Sequence, residues 1–124
     1  MPPPDSGGSD ATGAVWVVID TNWALDLLLF SDPGAAPLHQ ALQRGRAQWL
    51  ATAAMRAELA RVLGYPRLAA HMQTRALCAE AVLAAFDILT LTRPAAAFAG
   101  VRCRDADDQI FIDLAVAHRA NLLS

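Results

Sequence analysis

Lysine is missing from this chain: all ten basic residues are arginine. Arginine forms bidentate pairs with phosphate, which lysine cannot, although the same bias fits genomic base composition equally well. Cysteine is nearly missing too. Cys78 and Cys103 are too few for a disulfide framework and lack the spacing of a metal site. No apolar run is long enough to cross a bilayer. No base precedes the first apolar stretch, so the positive start of a secretory signal is absent and the expected compartment is the cytoplasm. Residues 1–40 hold no base at all, only Asp5, Asp10, Asp20, Asp26 and Asp32. Residues 41–124 carry all ten arginines against seven acids. The formal net charge of −2 argues against nucleic-acid binding. The distribution softens that, and a bound divalent cation would make the local field more positive still.

What is present fits a single globular domain: 124 residues, 55% hydrophobic and 18% charged. Its organising stretch is Val15-Trp16-Val17-Val18-Ile19-Asp20-Thr21-Asn22, a β-branched apolar run that stops at a carboxylate. Such a run predicts a strand buried on both faces. Asp20 then stands at the strand's carboxyl end, where open α/β sheets place their ligands.

Residues 1–13, rich in Pro, Gly, Ser and Asp, read as a disordered tail ahead of a domain at 14–124. After a strand at 14–19, a helix is predicted from Asn22 to Phe30 with Leu25, Leu28 and Leu29 on one face, stopped by Ser31-Asp32-Pro33-Gly34. A second helix follows from Ala35 to Arg44, with Gly45 as a left-handed cap. Gln48–Ala51 is a short strand candidate. Thr52 is a plausible N-cap for a helix from Ala53 to Leu63, closed by Gly64, whose stripe is Met55, Leu59, Val62 and Leu63. Tyr65-Pro66 is read as a break, His71–Phe86 as one helix and Ile88–Leu91 as a third strand. After an irregular interval at 93–104, the segment from Asp107 to His118 reads as helical, with Ile110, Phe111, Leu114 and Ala115 inward. Asn121–Ser124 begins a further strand. Strands alternating with helices predict an α/β fold with a mainly parallel sheet covered on both faces.

The acids carry the candidate chemistry: Asp20, Glu58 beside the stripe of its helix, and the group Asp105, Asp107, Asp108 and Asp113. Gathered by the fold, they would make an oxygen-lined pocket suited to Mg²⁺ or Mn²⁺. Each has a plainer role on its own. Asp20 suits a helix N-cap, Glu58 an exposed position paired with Arg61, and Asp105–Asp108 a solvated helix start. Together they would repel: two charges ~4 Å apart at an effective dielectric of ~20 cost about 4 kcal/mol. A cation would offset that. His39, His71 and His118 lack metal-pair spacing and are read as surface residues. Cys103 is read as packing, and Trp16, Trp23 and Trp49 as core.

Three stretches resemble the PIN-domain nucleases, in particular bacterial proteins described as toxin components of toxin–antitoxin pairs. Val17-Val18-Ile19-Asp20-Thr21-Asn22 is similar to that family's first-strand signature. Glu58, within Met55–Leu63, is similar to its second acid, and Asp108-Gln109-Ile110-Phe111-Ile112-Asp113-Leu114-Ala115 to its third-acid helix. The resemblance covers residues 14–124 and implies a PIN-like three-layer α/β/α fold with a central mainly parallel sheet. It also implies an Mg²⁺- or Mn²⁺-dependent endoribonuclease in which Asp20, Glu58 and Asp108 hold the metal. Asp105 and Asp107 are near enough to assist or substitute. Thr21 and Asn22 would support Asp20 from behind. Asp113 would stand behind the ligands or face solvent, with a direct role left open. Some of Arg44, Arg46, Arg56, Arg102 and Arg104 would grip phosphates. The implied partners are RNA and an antitoxin protein, with a homodimer left open and no membrane. In the family the last strand leads to Ser/Thr-x-Asp, whose Asp is often a fourth acid. Ser124 matches the first of these and nothing follows it. The expectation is a domain missing its C-terminal end. Two alternatives stay open: a truncated, inactive PIN-like module that only binds protein or RNA, and a phospho-receiver-like signalling domain. The latter resembles a family that uses a lysine beside its acids, and this chain has none.

Overall fold

A computed structural model describes residues 14–97, 100 and 109–123. Four strands, β1 (Val15–Ile19), β2 (Ala47–Ala51), β3 (Thr90–Thr92) and β4 (Asn121–Leu123), form one sheet in the order β3-β2-β1-β4. All three pairings are parallel. Parallel neighbours need crossover connections, and helices supply them here. The helices are α1 (Thr21–Leu28), α2 (Ala36–Gln43), α3 (Ala53–Leu63), α4 (Pro66–Thr74), α5 (Ala79–Leu89) and α6 (Gln109–His118). A 3-10 turn at Pro33–Ala35 leads into α2. Sheet and helices make a three-layer α/β/α arrangement.

Central β1 fixes the register. Val17 lies opposite Trp49 of β2 and Asn121 of β4. Val17, Val18 and Ile19 are buried, so the carboxyl half of β1 is enclosed on both faces as expected. Its start is not: Val15 is 40% exposed and Trp16 half-buried. Trp49 is buried at the sheet centre, edge-on to Phe86 of α5 at 5.0 Å between ring centroids. Leu59 and Leu63 of α3, Leu25 of α1 and Leu114 of α6 complete the core. Gly45 has φ +74 and closes α2 through a backbone region that L side chains rarely adopt.

Several sequence expectations are corrected. Pro66 does not break a helix but opens one: it stands in the first turn of α4, where its missing N–H would have no partner anyway. The predicted single helix over 71–86 is therefore two, parted where Ala76 turns left-handed at φ +54. Ile88 and Leu89 belong to α5 rather than to a strand, and Ile88 is 82% exposed. Ile110 points outward, while Phe111, Leu114 and Ala115 face the core. The histidines are half-buried rather than on the surface. His71 packs edge-on to Phe30 at 4.8 Å and His118 to Trp16 at 6.0 Å. Of the places left open for Asp113, the structure excludes the solvent-facing one, since it is buried.

Candidate active-site cleft

β1 delivers Asp20 to the carboxyl edge of the sheet, where the Asp20 backbone N–H donates to Leu123 O on β4 at 2.9 Å. There the chain turns into α1, and Asp20 is its N-cap, Oδ1 accepting from the Trp23 N–H at 2.9 Å. The capping role is thus real. It also fixes the orientation of a carboxylate that lines a cleft of about 570 Å³. A cap of this kind contributes about 1 kcal/mol, and Asn serves it as well as Asp.

Glu58 comes from the middle of α3, a helix that Thr52 starts by accepting from the Met55 N–H at 3.2 Å. The Thr21 hydroxyl donates to Glu58 Oε2 at 2.8 Å. This bond ties the first residue of α1 to α3 and places Asp20 and Glu58 on one cleft wall. Arg61, one turn further along α3, brings Nη2 to 3.8 Å from Glu58 Oε1, a loose contact. Thr21 therefore supports Glu58 directly. Asn22 lines the cleft and is exposed.

Asp26 adds a third carboxylate to the lining. Leu25, Phe30, Val62 and Leu68 give it an apolar floor, and Tyr65 and Arg67 stand where α3 hands over to α4. The expected third ligand, Asp108, lies outside the described residues, as do Asp105, Asp107, Cys103, Arg102 and Arg104. Asp113 is buried on α6 and accepts from Gln109 Nε2 at 2.9 Å. Among the described residues no group of three or more His, Cys, Asp or Glu side chains stands ready to hold a metal ion. The donors that do meet are carboxylate and hydroxyl oxygens, with no thiolate or imidazole in the lining. That chemistry fits a hard divalent cation.

The arginines sort differently from expectation. Arg56 is committed elsewhere, its Nε and Nη2 donating to the two oxygens of Asp87 on α5 at 2.8 and 2.9 Å. Arg44 and Arg46 are exposed beyond α2 and do not line the cleft. Arg67 does, and sequence reasoning passed over it. The available signal was its place directly after Tyr65-Pro66, read as a break instead of a helix start.

No helix among the described residues is long and apolar enough to cross a membrane. In comparison with known proteins, a family model described as PIN domain matches residues 16–123. No curated protein and no solved structure matches the chain.

Proposed function

Because the chain belongs to the PIN-domain family, whose members are generally nucleases and typically use divalent metals, we propose that it is a metal-dependent endoribonuclease. The observation that carries this reading is the Thr21–Glu58 hydrogen bond, which ties the residue after Asp20 to Glu58, two carboxylates distant in sequence that line one cleft. Three carboxylates line that cleft with a single guanidinium, Arg67, an imbalance that an Mg²⁺ or Mn²⁺ ion would offset. Asp20, Glu58 and Asp108 are the residues proposed to hold it, with Asp105 beside them. A divalent cation bound there supplies Lewis-acid polarisation of the phosphodiester and acidifies water for attack.

The chain's own contribution is positioning. The Trp23 N–H holds Asp20 Oδ1 and the Thr21 hydroxyl holds Glu58 Oε2, so both carboxylates are oriented before substrate arrives. Leu25, Phe30, Val62 and Leu68 supply the apolar part of the same lining. The three motifs that resemble toxin components support a further reading, in which the protein is a cytoplasmic toxin restrained by an antitoxin protein.

RNA cleavage by the purified chain with Mn²⁺ or Mg²⁺, run beside Asp20→Asn, tests the proposal. Asn keeps the cap and removes only the charge. Cleavage lost in the variant supports the site. Cleavage retained at full rate removes Asp20 from it. RNA binding without cleavage by either protein would favour the module that only binds.

A further inference from the structure

The cleft continues past its acids. Tyr65 stands between the Gly64 cap of α3 and the start of α4, and with Arg67 it lines the same cavity as Glu58. Tyr65 is the chain's single tyrosine and is 46% exposed. A ring this open contributes little to a core. It is nonetheless held in place: Arg61 Nη1 donates to the Tyr65 hydroxyl at 3.0 Å, while Nη2 of the same guanidinium reaches toward Glu58. Arg61 so links the acidic part of the cleft to its aromatic part. Arg67 is exposed, and the ion pairs among the described residues, Arg56–Asp87 and Arg61–Glu58, do not include it. A positioned open ring beside an uncompensated guanidinium is the pairing that grips single-stranded nucleic acid, bases stacking on the aromatic and phosphates meeting the cation.

Resting on the ribonuclease reading above, we infer that Tyr65 and Arg67 dock single-stranded RNA beside the acids, a base stacking on Tyr65 and a backbone phosphate pairing with Arg67. Arg61 is a positioning residue that sets the Tyr65 ring. Base-paired RNA cannot present a base face to Tyr65, so the cleft selects unpaired segments.

The test is fluorescence polarisation of a labelled single-stranded RNA and of its duplex, with Mg²⁺, using the full chain in the Asp20→Asn background so that RNA stays intact. Tyr65→Leu and Arg67→Gln should each weaken single-strand binding roughly tenfold. Tyr65→Phe keeps the stacking face but loses the hydroxyl that Arg61 holds, so it should recover most but not all of the binding lost in Tyr65→Leu, and Arg67→Lys should recover part of the loss in Arg67→Gln. Arg67→Gln should also lower the slope of log affinity against log salt by about 0.7. Both side chains are exposed, and an unchanged thermal midpoint verifies folding. Separately, in otherwise wild-type protein, Tyr65→Leu should raise KM more than it lowers kcat. Unchanged RNA binding in Tyr65→Leu or Arg67→Gln overturns the inference, as does equal binding of duplex. Unchanged RNA binding joined to lost affinity for a protein partner also overturns it, giving this part of the cleft to the partner. The two readings fail separately: RNA bound through Tyr65 and Arg67 but never cut sinks the nuclease alone, while cleavage with an unmoved KM sinks the docking alone.

Discussion

Helix α3 has two charged residues two positions apart, and they meet opposite fates. Arg56 faces α5 and closes a bidentate pair with Asp87, both side chains about half exposed at 44% and 49%. Glu58 faces α1, is 21% exposed, and meets a hydroxyl at 2.8 Å while its nearest cation stays at 3.8 Å. On the first face every charge has a complete counter-charge, and the pair is structural. On the second, a carboxylate is drawn into a concave wall beside another carboxylate and left without a full counter-charge. The cation proposed for the cleft would meet Glu58 on this second face.

The largest expected effect breaks the second face. Glu58→Gln should lower Mn²⁺-dependent RNA cleavage by more than about a hundredfold, while the metal-free thermal midpoint holds or rises because a like charge is gone. A clear loss of stability would instead make Glu58 a structural residue like Arg56. Next comes the buried face between them. Leu59 is 1% exposed, and Leu59→Ala should cost about 2–5 kcal/mol in urea unfolding. A smaller change would mean that α3 is held by its charges more than by its core. Third, Mn²⁺ should raise the wild-type midpoint, by about 2.7 kcal/mol of stabilisation at a hundredfold excess over Kd, and should leave Glu58→Gln nearly unmoved. Equal shifts in both proteins would place the metal elsewhere.

The sheet was legible because its signals are local and redundant. The β-branched run Val15–Ile19 ends at a polar step, and Thr52 and Gly45 mark helix limits by their own backbone chemistry. The α4–α5 region was misread because Pro66 carries two opposite meanings, breaker within a helix and starter in its first turn, and only tertiary packing decides between them. Of the candidate site, Asp20 and Glu58 were visible as residue types at a strand end and on a helix. That they share one cleft was expected only through the family resemblance and from no local signal, since the Thr21–Glu58 bond joins residues far apart in sequence. Arg67 was missed for the same reason: nothing local to it points at Asp20. For Asp113 the helix position alone left open a place behind the ligands or one facing solvent, and only the fold shows it buried with Gln109 as a partner.

The smallest expected effect probes the first face. Hydrogen bonding from Arg56, opposed by desolvation and reinforced by the Arg56 charge, holds the Asp87 carboxyl below the ordinary aspartate range. The Arg56 guanidinium is pushed up in return and stays protonated throughout. A carboxyl whose pKa is lower folded than unfolded stabilises the protein above the unfolded value, about 3.9, and loses that contribution as pH falls through the folded value. The gap in urea midpoint between wild type and Asp87→Asn should therefore be constant near neutrality and close below about pH 4. It should also shrink with added salt, because the pair is solvent-screened. RNA cleavage by Asp87→Asn should match wild type at pH 7. A cleavage loss there comparable to that of Glu58→Gln would erase the distinction between the two faces of α3, and a midpoint gap that persists at low pH would show that Asp87 stabilises α5 by some means other than its charge.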